Sequence, residues 1–301
     1  MNYRAGFVGL IGLPNGGKST LANTLVSEKV SIVTAKPQTT RQRVMSVFSD
    51  KQSQILFVDA PGYVSKSSGL NQFLADEYRG VIQDSDALVA VLNIDHSKLE
   101  DLLRIAQTCA EAGKKWMVVI TKIDCSQDYP EPQRLGILCH QLKKYSVSVV
   151  AVSALKNPKQ AQQLVLPEIR HLLPESSAPL YDPEIYTTQN LREMAGEVVR
   201  EKCFEFLHQE IPYGLAVKVK KFVENAGPTV KVYADILVNK EGHRGIVVGK
   251  GGLSLKRIGQ RARTDLERLL GRKVYLELYV VVCKNWVKNP LLLQELGYVV
   301  S

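Results

Sequence analysis

The sequence predicts two successive folds, a doubly wound α/β sheet and then a second, smaller α+β domain. Three observations carry this. Five strand-sized apolar runs (Phe7–Ile11, Ile55–Val58, Leu88–Leu92, Trp116–Ile120 and Val147–Val152) are separated by longer, more polar segments, the rhythm of strands alternating with helices. A stretch rich in proline and serine, Leu173–Pro183, then interrupts it. Beyond the break the elements follow the order α-β-β-α-α-β. The expected boundaries are a first domain over 1–173, a linker over 174–186 and a second domain with a C-terminal tail over 187–301, reasonable sizes for a chain of 301 residues.

Each element rests on its own pattern. The five runs are almost continuously apolar, as strands buried on both faces are. Leu99, Leu102, Leu103, Ile105 and Ala106 share one face of a helix between the third and fourth runs. In the second half, Leu191, Met194, Val198, Val199, Cys203, Phe206 and Leu207 make Asn190–Gln209 an amphipathic helix. Strands over Leu215–Val223 and Val230–Val238 follow, joined across Asn225-Ala226-Gly227-Pro228. A short helix near His243–Val248, a glycine turn, a helix near Ser254–Leu270 and a strand over Val274–Val282 complete the order.

Composition narrows the function. Hydrophobic residues make up 45% and charged residues 23%, which excludes a disordered or collagen-like chain. No apolar stretch approaches the ~20 residues of a membrane span, and no secretory leader is read at the N-terminus. Five scattered cysteines (Cys109, Cys125, Cys139, Cys203, Cys283) lack C-x-x-C spacing, so reduced thiols and a cytoplasmic location are expected. The five histidines show no metal-ligand spacing. The net charge is +9, and Lys240–Lys273 alone carries 10 basic and 3 acidic residues. That concentration suits a polyanion partner, with a solvated helix face as the equal alternative.

The sharpest signal is Gly12-Leu13-Pro14-Asn15-Gly16-Gly17-Lys18-Ser19, a phosphate loop between a strand and the helix that opens at Thr20. Gly12, Gly16 and Gly17 let backbone N–H groups converge on phosphate oxygens at a helix N-terminus. Lys18 reaches the β- and γ-phosphates, and the Ser19 hydroxyl ligates Mg²⁺. Asp59-Ala60-Pro61-Gly62 leaves the second run, where Asp59 serves Mg²⁺ and the Gly62 N–H meets a γ-phosphate. Thr121-Lys122-Ile123-Asp124 selects the base. A carboxylate only accepts, so Asp124 pairs with guanine N1–H and N2–H₂, donors that adenine lacks, while the Lys122 stem covers the ring. Ser153-Ala154-Leu155 ends the fifth run and offers the Ala154 N–H to guanine O6.

In that order and spacing these motifs resemble the translation-factor-related GTP-binding proteins. Within them, Lys36-Pro37-Gln38-Thr39-Thr40-Arg41 resembles the effector segment of the Era family of bacterial ribosome-assembly GTPases. The resemblance spans nearly the whole chain. It implies a P-loop NTPase sheet with a C-terminal type II KH domain, Thr40 as the switch residue that closes on Mg²⁺, GTP and GDP as ligands, and a monomer. It also implies small-subunit ribosomal RNA near its 3′ end, and the 30S subunit, as partners. Gly249-Lys250-Gly251-Gly252 is then the G-x-x-G loop that clamps a nucleic-acid backbone. Lys256, Arg257 and Arg261 follow it, and Arg263 continues the basic run. Ile246, Val247, Val248, Leu253 and Ile258 are expected to be mostly core, as is Trp286.

Three departures from the family pattern stand out. Gly16 sits where valine is common, a change of packing. Thr121 replaces an asparagine, so its contact with the phosphate loop is lost or shortened. Leu253-Ser254-Leu255 replaces a small-x-Ile pattern. Tyr63 holds the position of the water-orienting glutamine of Ras-like proteins, so unassisted turnover is expected within or below roughly 10⁻⁴–10⁻² s⁻¹. Asn15 matches the loop asparagine that ligates K⁺ in several relatives, and K⁺ would supply charge at the β–γ bridge. The alternative for Asn15 is a loop residue bonding its own backbone. Ordering of Thr39 and Thr40 and of the segment after Asp59 by GTP would gate RNA binding. The competing function is a regulatory GTPase whose basic domain contacts an anionic inner-membrane surface or a protein.

Overall fold

The computed structural model describes residues 2–34, 36, 39–63, 69–96, 98–128, 133–224 and 227–298, with the side chains of 126–128 left aside. Pro37, Gln38, Asn225 and Ala226, singled out above, lie outside the described residues. The chain divides into two compact units, 1–33, 40–65 and 74–188 in the first and 34–39, 66–73 and 189–301 in the second.

The first unit is built on a six-stranded sheet. In chain order its elements are β1 (Arg4–Gly12), α1 (Lys18–Val26), β2 (Val44–Ser49), β3 (Ser53–Asp59), α2 (Leu70–Asp84, whose first residues group with the second unit), β4 (Ala87–Asn93), α3 (Leu99–Glu111), β5 (Lys115–Thr121), α4 (Arg134–Leu142), β6 (Val149–Ala151) and α5 (Pro158–Leu172). The strand order is β2-β3-β1-β4-β5-β6, with β2 antiparallel to β3 and every other pair parallel.

The apolar runs are continuous because successive residues serve opposite faces. Along β4, Val89 and Val91 point into the core closed by Leu21 and Leu25 of α1 and Val165 and Ile169 of α5. Leu88, Ala90 and Leu92 point into the core closed by Val81 of α2, Ile105 of α3 and Leu138 of α4. Parallel strands and crossover helices thus bring the C-terminal ends of β1, β3, β4 and β5 to one edge, where ligands of open α/β sheets bind.

Two features differ from the expectation. β2 was not anticipated. It folds back on β3 around Asp50, whose Oδ1 accepts from the backbone N–H of Gln52 and Ser53 at 2.8 and 2.7 Å. The segment 174–186 is no free linker, since the first unit runs to Thr188. The cause is Gln54, fully buried in β3. Its Oε1 accepts from the N–H of Leu180 and Tyr181 at 2.7 and 2.8 Å, and its Nε2 donates to the Tyr181 carbonyl at 2.9 Å. Thr187 adds an antiparallel bridge to Ser46.

The second unit follows the order α-β-β-α-α-β. It comprises α6 (Leu191–Phe206), β7 (Leu215–Val223), β8 (Thr229–Val238), α7 (Glu241–Val248), α8 (Leu253–Leu270), β9 (Lys273–Val282) and a closing α9 (Pro290–Glu295). Asn190 caps α6 through a reciprocal pair with Glu193. The sheet order is β7-β8-β9, with β8 and β9 parallel. Val199 and Cys203 of α6, Val247 of α7 and Ile258, Ala262 and Leu266 of α8 cover one face. Trp286 is fully buried, its indole N–H donating to the Gly214 carbonyl at 2.9 Å. All five cysteines are free.

Replacing Gln54 with leucine strands the two N–H groups it accepts from. Urea unfolding followed by circular dichroism should show a loss of about 2–3 kcal/mol. Proteolysis within 174–188 should accelerate while cleavage elsewhere does not.

Candidate functional site

The phosphate loop leaves β1 beside β4 so closely that a Cβ on Gly12 would lie 2.5 Å from the Val91 carbonyl oxygen. Only glycine fits. Asn15 and Gly17 take left-handed backbone conformations, φ 60° and 85°, which turn the loop into the N-terminus of α1. Lys18 is buried, and its ammonium curls back onto the loop, donating to the carbonyls of Gly12 and Leu13 at 3.3 and 3.0 Å. Burial pushes its pKa down to about 8, against the pull of Asp59. Thr20 follows in the first turn of α1.

Three oxygens meet beside it. The Ser19 hydroxyl donates to Asp59 Oδ2 at 2.5 Å and lies 3.0 Å from Thr40 Oγ1, which is itself 3.5 Å from Asp59 Oδ2. Asp59 is fully buried, and its Oδ1 has no hydrogen-bond partner. Burial raises the Asp59 pKa, opposed by Lys18 and by the hydroxyls of Ser19, Ser31 and Thr40. An all-oxygen set with a spare buried carboxylate oxygen fits a hard cation such as Mg²⁺, which would neutralise phosphate charge there. No cluster of three or more His, Cys, Asp and Glu able to hold a metal exists among the described residues.

Gly62 lies against the loop, since a Cβ there would come within 2.6 Å of the Pro14 nitrogen. The Tyr63 N–H donates to the Gly12 carbonyl at 3.4 Å. The Tyr63 ring is 54% exposed and edge-on to Tyr78, with centroids 5.7 Å apart.

On the base side, Lys122 adopts φ 61°, and its ammonium pairs with Asp95 at 2.7 Å. The Asp124 carboxyl is held below the ordinary range by the Ser153 hydroxyl first and by Lys156, whose ammonium is 3.4 Å away. It is therefore an ionised acceptor at neutral pH. The Ala154 carbonyl accepts from the Thr24 hydroxyl at 3.1 Å, which fixes the turn, while the Leu155 side chain is exposed. The Thr121 hydroxyl donates to the Gly16 carbonyl at 2.8 Å. The contact to the loop is kept, through a shorter side chain. Asp95, Lys156 and Thr24 carry no motif of their own and were not picked out from sequence.

In the second unit Gly249, Gly251 and Gly252 all have positive φ, 74°, 60° and 78°, so the loop backbone between α7 and α8 is one that other residues rarely adopt. Next to it runs a groove of about 400 Å³ between α8 and β9, lined by Gly252, Lys256, Gln260, Arg263, Leu276 and Leu278 among others. Lys256, Gln260 and Arg263 share this face by helical period. Arg257 and Arg261 lie one residue further round. Arg257 packs its guanidinium over the Phe206 ring at 4.4 Å, and Arg261 is exposed without lining the groove. Of the five apolar residues expected to be mostly core, Val247 and Ile258 are buried, Val248 is half-buried, and Ile246 and Leu253 are exposed at the loop's two ends. No helix among the described residues is long and apolar enough to cross a membrane.

A mostly parallel sheet with this loop, this cradle of oxygens and the ionised Asp124, joined to a KH unit, fits a class of guanine-nucleotide-binding proteins. A family described as 50S ribosome-binding GTPase matches residues 7–122, and a KH domain family matches residues 210–287. The chain belongs to the Era family of GTPases. It is 38% identical to the GTPase Era of Trichlorobacter lovleyi, with 98% of each chain covered. It is also 38% identical to that of Syntrophus aciditrophicus, covering 98% of this chain and 95% of the relative. Among solved structures it resembles a variant of Aquifex aeolicus Era bound to GDP and AlF₄⁻ (TM-score 0.89, 33% identity, 99% of this chain and 100% of that one). An Era solved with MgGDPNP and nucleotides 1506–1542 of 16S ribosomal RNA matches with the same score, identity and coverage.

Two measurements probe the site. With its pKa pushed down to about 8, Lys18 is protonated well below that pH and loses its proton above it, and phosphates bound at the loop would restore the charge. Titration calorimetry in buffers of different ionisation enthalpy should show GTP binding with almost no proton uptake at pH 6.5, about half a proton near pH 8 and more above. Asp124→Asn turns one acceptor into a donor, which matches xanthine in place of guanine. Competition against a fluorescent GDP should show GTP affinity falling at least about a hundredfold and XTP gaining.

Proposed function

We propose that the chain is a GTP-hydrolysing switch that binds small-subunit ribosomal RNA near its 3′ end and acts in assembly of the 30S subunit. One observation carries this reading, the likeness over both units to an Era solved with a GTP analogue, Mg²⁺ and that RNA. GTP sits with its phosphates on the backbone of Gly12–Gly17 and on Lys18, its guanine on Asp124, and Mg²⁺ on Ser19, Thr40 and Asp59. In the transition state Lys18 and the Gly62 N–H face the charge that grows on the transferred phosphate.

No glutamine follows Gly62, and the Tyr63 hydroxyl, a single oxygen, does not offer the separate carbonyl acceptor and NH₂ donor with which an amide orients a water. Unassisted turnover is therefore slow. We assign the missing charge to K⁺ held by the Asn15 amide oxygen, at the exposed tip of the phosphate loop. RNA is clamped at Gly249–Gly252, with Lys250 beside the backbone and Lys256 in the groove; Arg257 and Arg261 contribute only to the surrounding positive field. Nucleotide state gates the RNA site through Thr39 and Thr40. The residues just before Thr40 belong to the second unit, where the Lys36 ammonium donates to the Phe204 and Leu207 carbonyls at the end of α6.

Turnover of GTP, measured in K⁺ and Na⁺ with and without the 16S rRNA 3′ segment, tests these statements separately. K⁺ should raise the rate roughly tenfold or more over Na⁺, and equal rates would remove the potassium. RNA should stimulate further, and Gly252→Asp, a carboxylate on a left-handed backbone at the clamp, should abolish that stimulation while keeping the RNA-free rate. Hydrolysis indifferent to RNA, together with binding to anionic liposomes, would overturn the ribosomal reading.

A further inference from the structure

The sheet of the second unit has a face that α6 and α8 do not cover, although at one end of it Ala216 and Leu237 are buried and Lys218 pairs with Glu295 of α9. Residue register shows what stands on it. Across β8 and β9 the pairs Lys231–Tyr275, Tyr233–Glu277 and Asp235–Tyr279 lie side by side. On β7, Lys221 stands beside Tyr233 and Lys218 beside Asp235. Their neighbours in sequence, such as Val232, Ile236, Leu276 and Leu278, point the other way into the core under α6 and α8.

Three tyrosines thus share this face, Tyr233 on the central strand and Tyr275 and Tyr279 on β9. Tyr275 and Tyr279 are 48% and 55% exposed. The Tyr233 and Tyr275 rings are 5.8 Å apart. Both outer hydroxyls donate to one carboxylate, Tyr275 to Glu277 Oε2 at 2.8 Å and Tyr279 to Glu277 Oε1. Glu277 holds the two rings in place without covering them. Lys218, Lys220, Lys221, Lys231 and Lys273 flank the rings, against Glu277 and Asp235 on the same face. Lys218 pairs with Glu295, Lys220 lies 3.9 Å from Asp235, and Lys273 lies 4.0 Å from Glu267 of α8, while Lys221 and Lys231 are exposed. An aromatic centre within a basic rim is what single-stranded nucleic acid binds, bases on rings and phosphates on ammonium groups. A protein partner would need a more apolar centre and fewer lysines.

Position adds to chemistry. β9 is one of the two edge strands of the sheet. It lines the groove beside the G-x-x-G loop with Leu276, Glu277 and Leu278, and it carries Tyr275 and Tyr279 on its open face. A strand of RNA leaving the groove has only to pass over this edge to reach them.

We propose that the open face of the β7–β8–β9 sheet is a second RNA-contacting surface, on which Tyr275 and Tyr279, braced by Glu277, stack bases of single-stranded RNA that continues from the groove. The proposal rests on the ribosomal-RNA reading above.

The test compares two RNAs from the 16S 3′ stretch, a short one that fills the groove and a long one extended by about six single-stranded nucleotides at either end. Binding by full-length protein is followed by fluorescence anisotropy, with thermal melts to verify folding. Tyr275→Ala/Tyr279→Ala should weaken the long RNA roughly tenfold and leave the short RNA unchanged. Tyr275→Phe/Tyr279→Phe, which keeps the rings, should restore most of the loss. If the alanine pair binds the long RNA as tightly as the unaltered protein does, the stacking surface is overturned and the face is left to a protein partner. If neither RNA binds the unaltered protein, the ribosomal-RNA reading falls, and this proposal with it.

Discussion

The nucleotide site depends on two opposite charges buried where the strands end. Lys18 and Asp59 are both out of water. The ammonium donates to carbonyls of its own loop, the carboxylate accepts from hydroxyls with one oxygen unpartnered, and the two charges attract each other. Isolated buried charge costs several kcal/mol, so the site is tense until other charges arrive. In the proposed reading polyphosphate would complete the lysine and a hard cation the aspartate. The rest of the sheet domain keeps this arrangement dry and in register. Its two cores hold the strands, Val91 allows nothing larger than glycine at position 12, and Pro14 sets the same limit at position 62.

The same device appears at both ends of the chain. Each candidate polyanion site is a glycine-bearing loop that turns through positive φ into the N-terminus of a helix, Gly17 before α1 and Gly252 before α8. Backbone N–H groups and helix ends recognise phosphate without reading sequence. Selectivity has to come from elsewhere. For the nucleotide, the proposed source is the Asp124 carboxylate, held ionised by Ser153 and Lys156 and able to accept from a base offering two donors. For the RNA, in the proposed reading, it would come from base edges and ring faces met along the groove and β9, beyond what phosphate contacts supply.

Motifs and long apolar runs were legible in the sequence because each states its own physics. Alternating burial made every parallel strand a continuous run, and the phosphate loop needs glycines and lysine at fixed spacing. What escaped lay in pairings between distant residues. β2 is short and carries serines, and only the turn at Asp50 announces it. Pro- and Ser-rich 174–186 reads as a linker by composition, yet one buried amide, Gln54, more than a hundred residues away fastens it to the sheet. The basic run after the G-x-x-G loop was counted as one surface, whereas helical period divides it between the groove and the Phe206 side.

Departures from a family pattern are best read in pairs. Thr121 alone suggests a lost contact, because its side chain is shorter than that of asparagine. Gly16 alone suggests a change of packing. In the fold the two meet, with the Thr121 hydroxyl 2.8 Å from the Gly16 carbonyl. The Gly16 N–H closes a tight turn on the Leu13 carbonyl at 3.1 Å, and a Cβ on Gly16 would come within 2.9 Å of that same oxygen. A larger residue would have to open the turn and shift the carbonyl that the short hydroxyl reaches. Glycine at one position therefore lets threonine serve at the other, and the base-binding strand stays tied to the phosphate loop through a different pair of atoms.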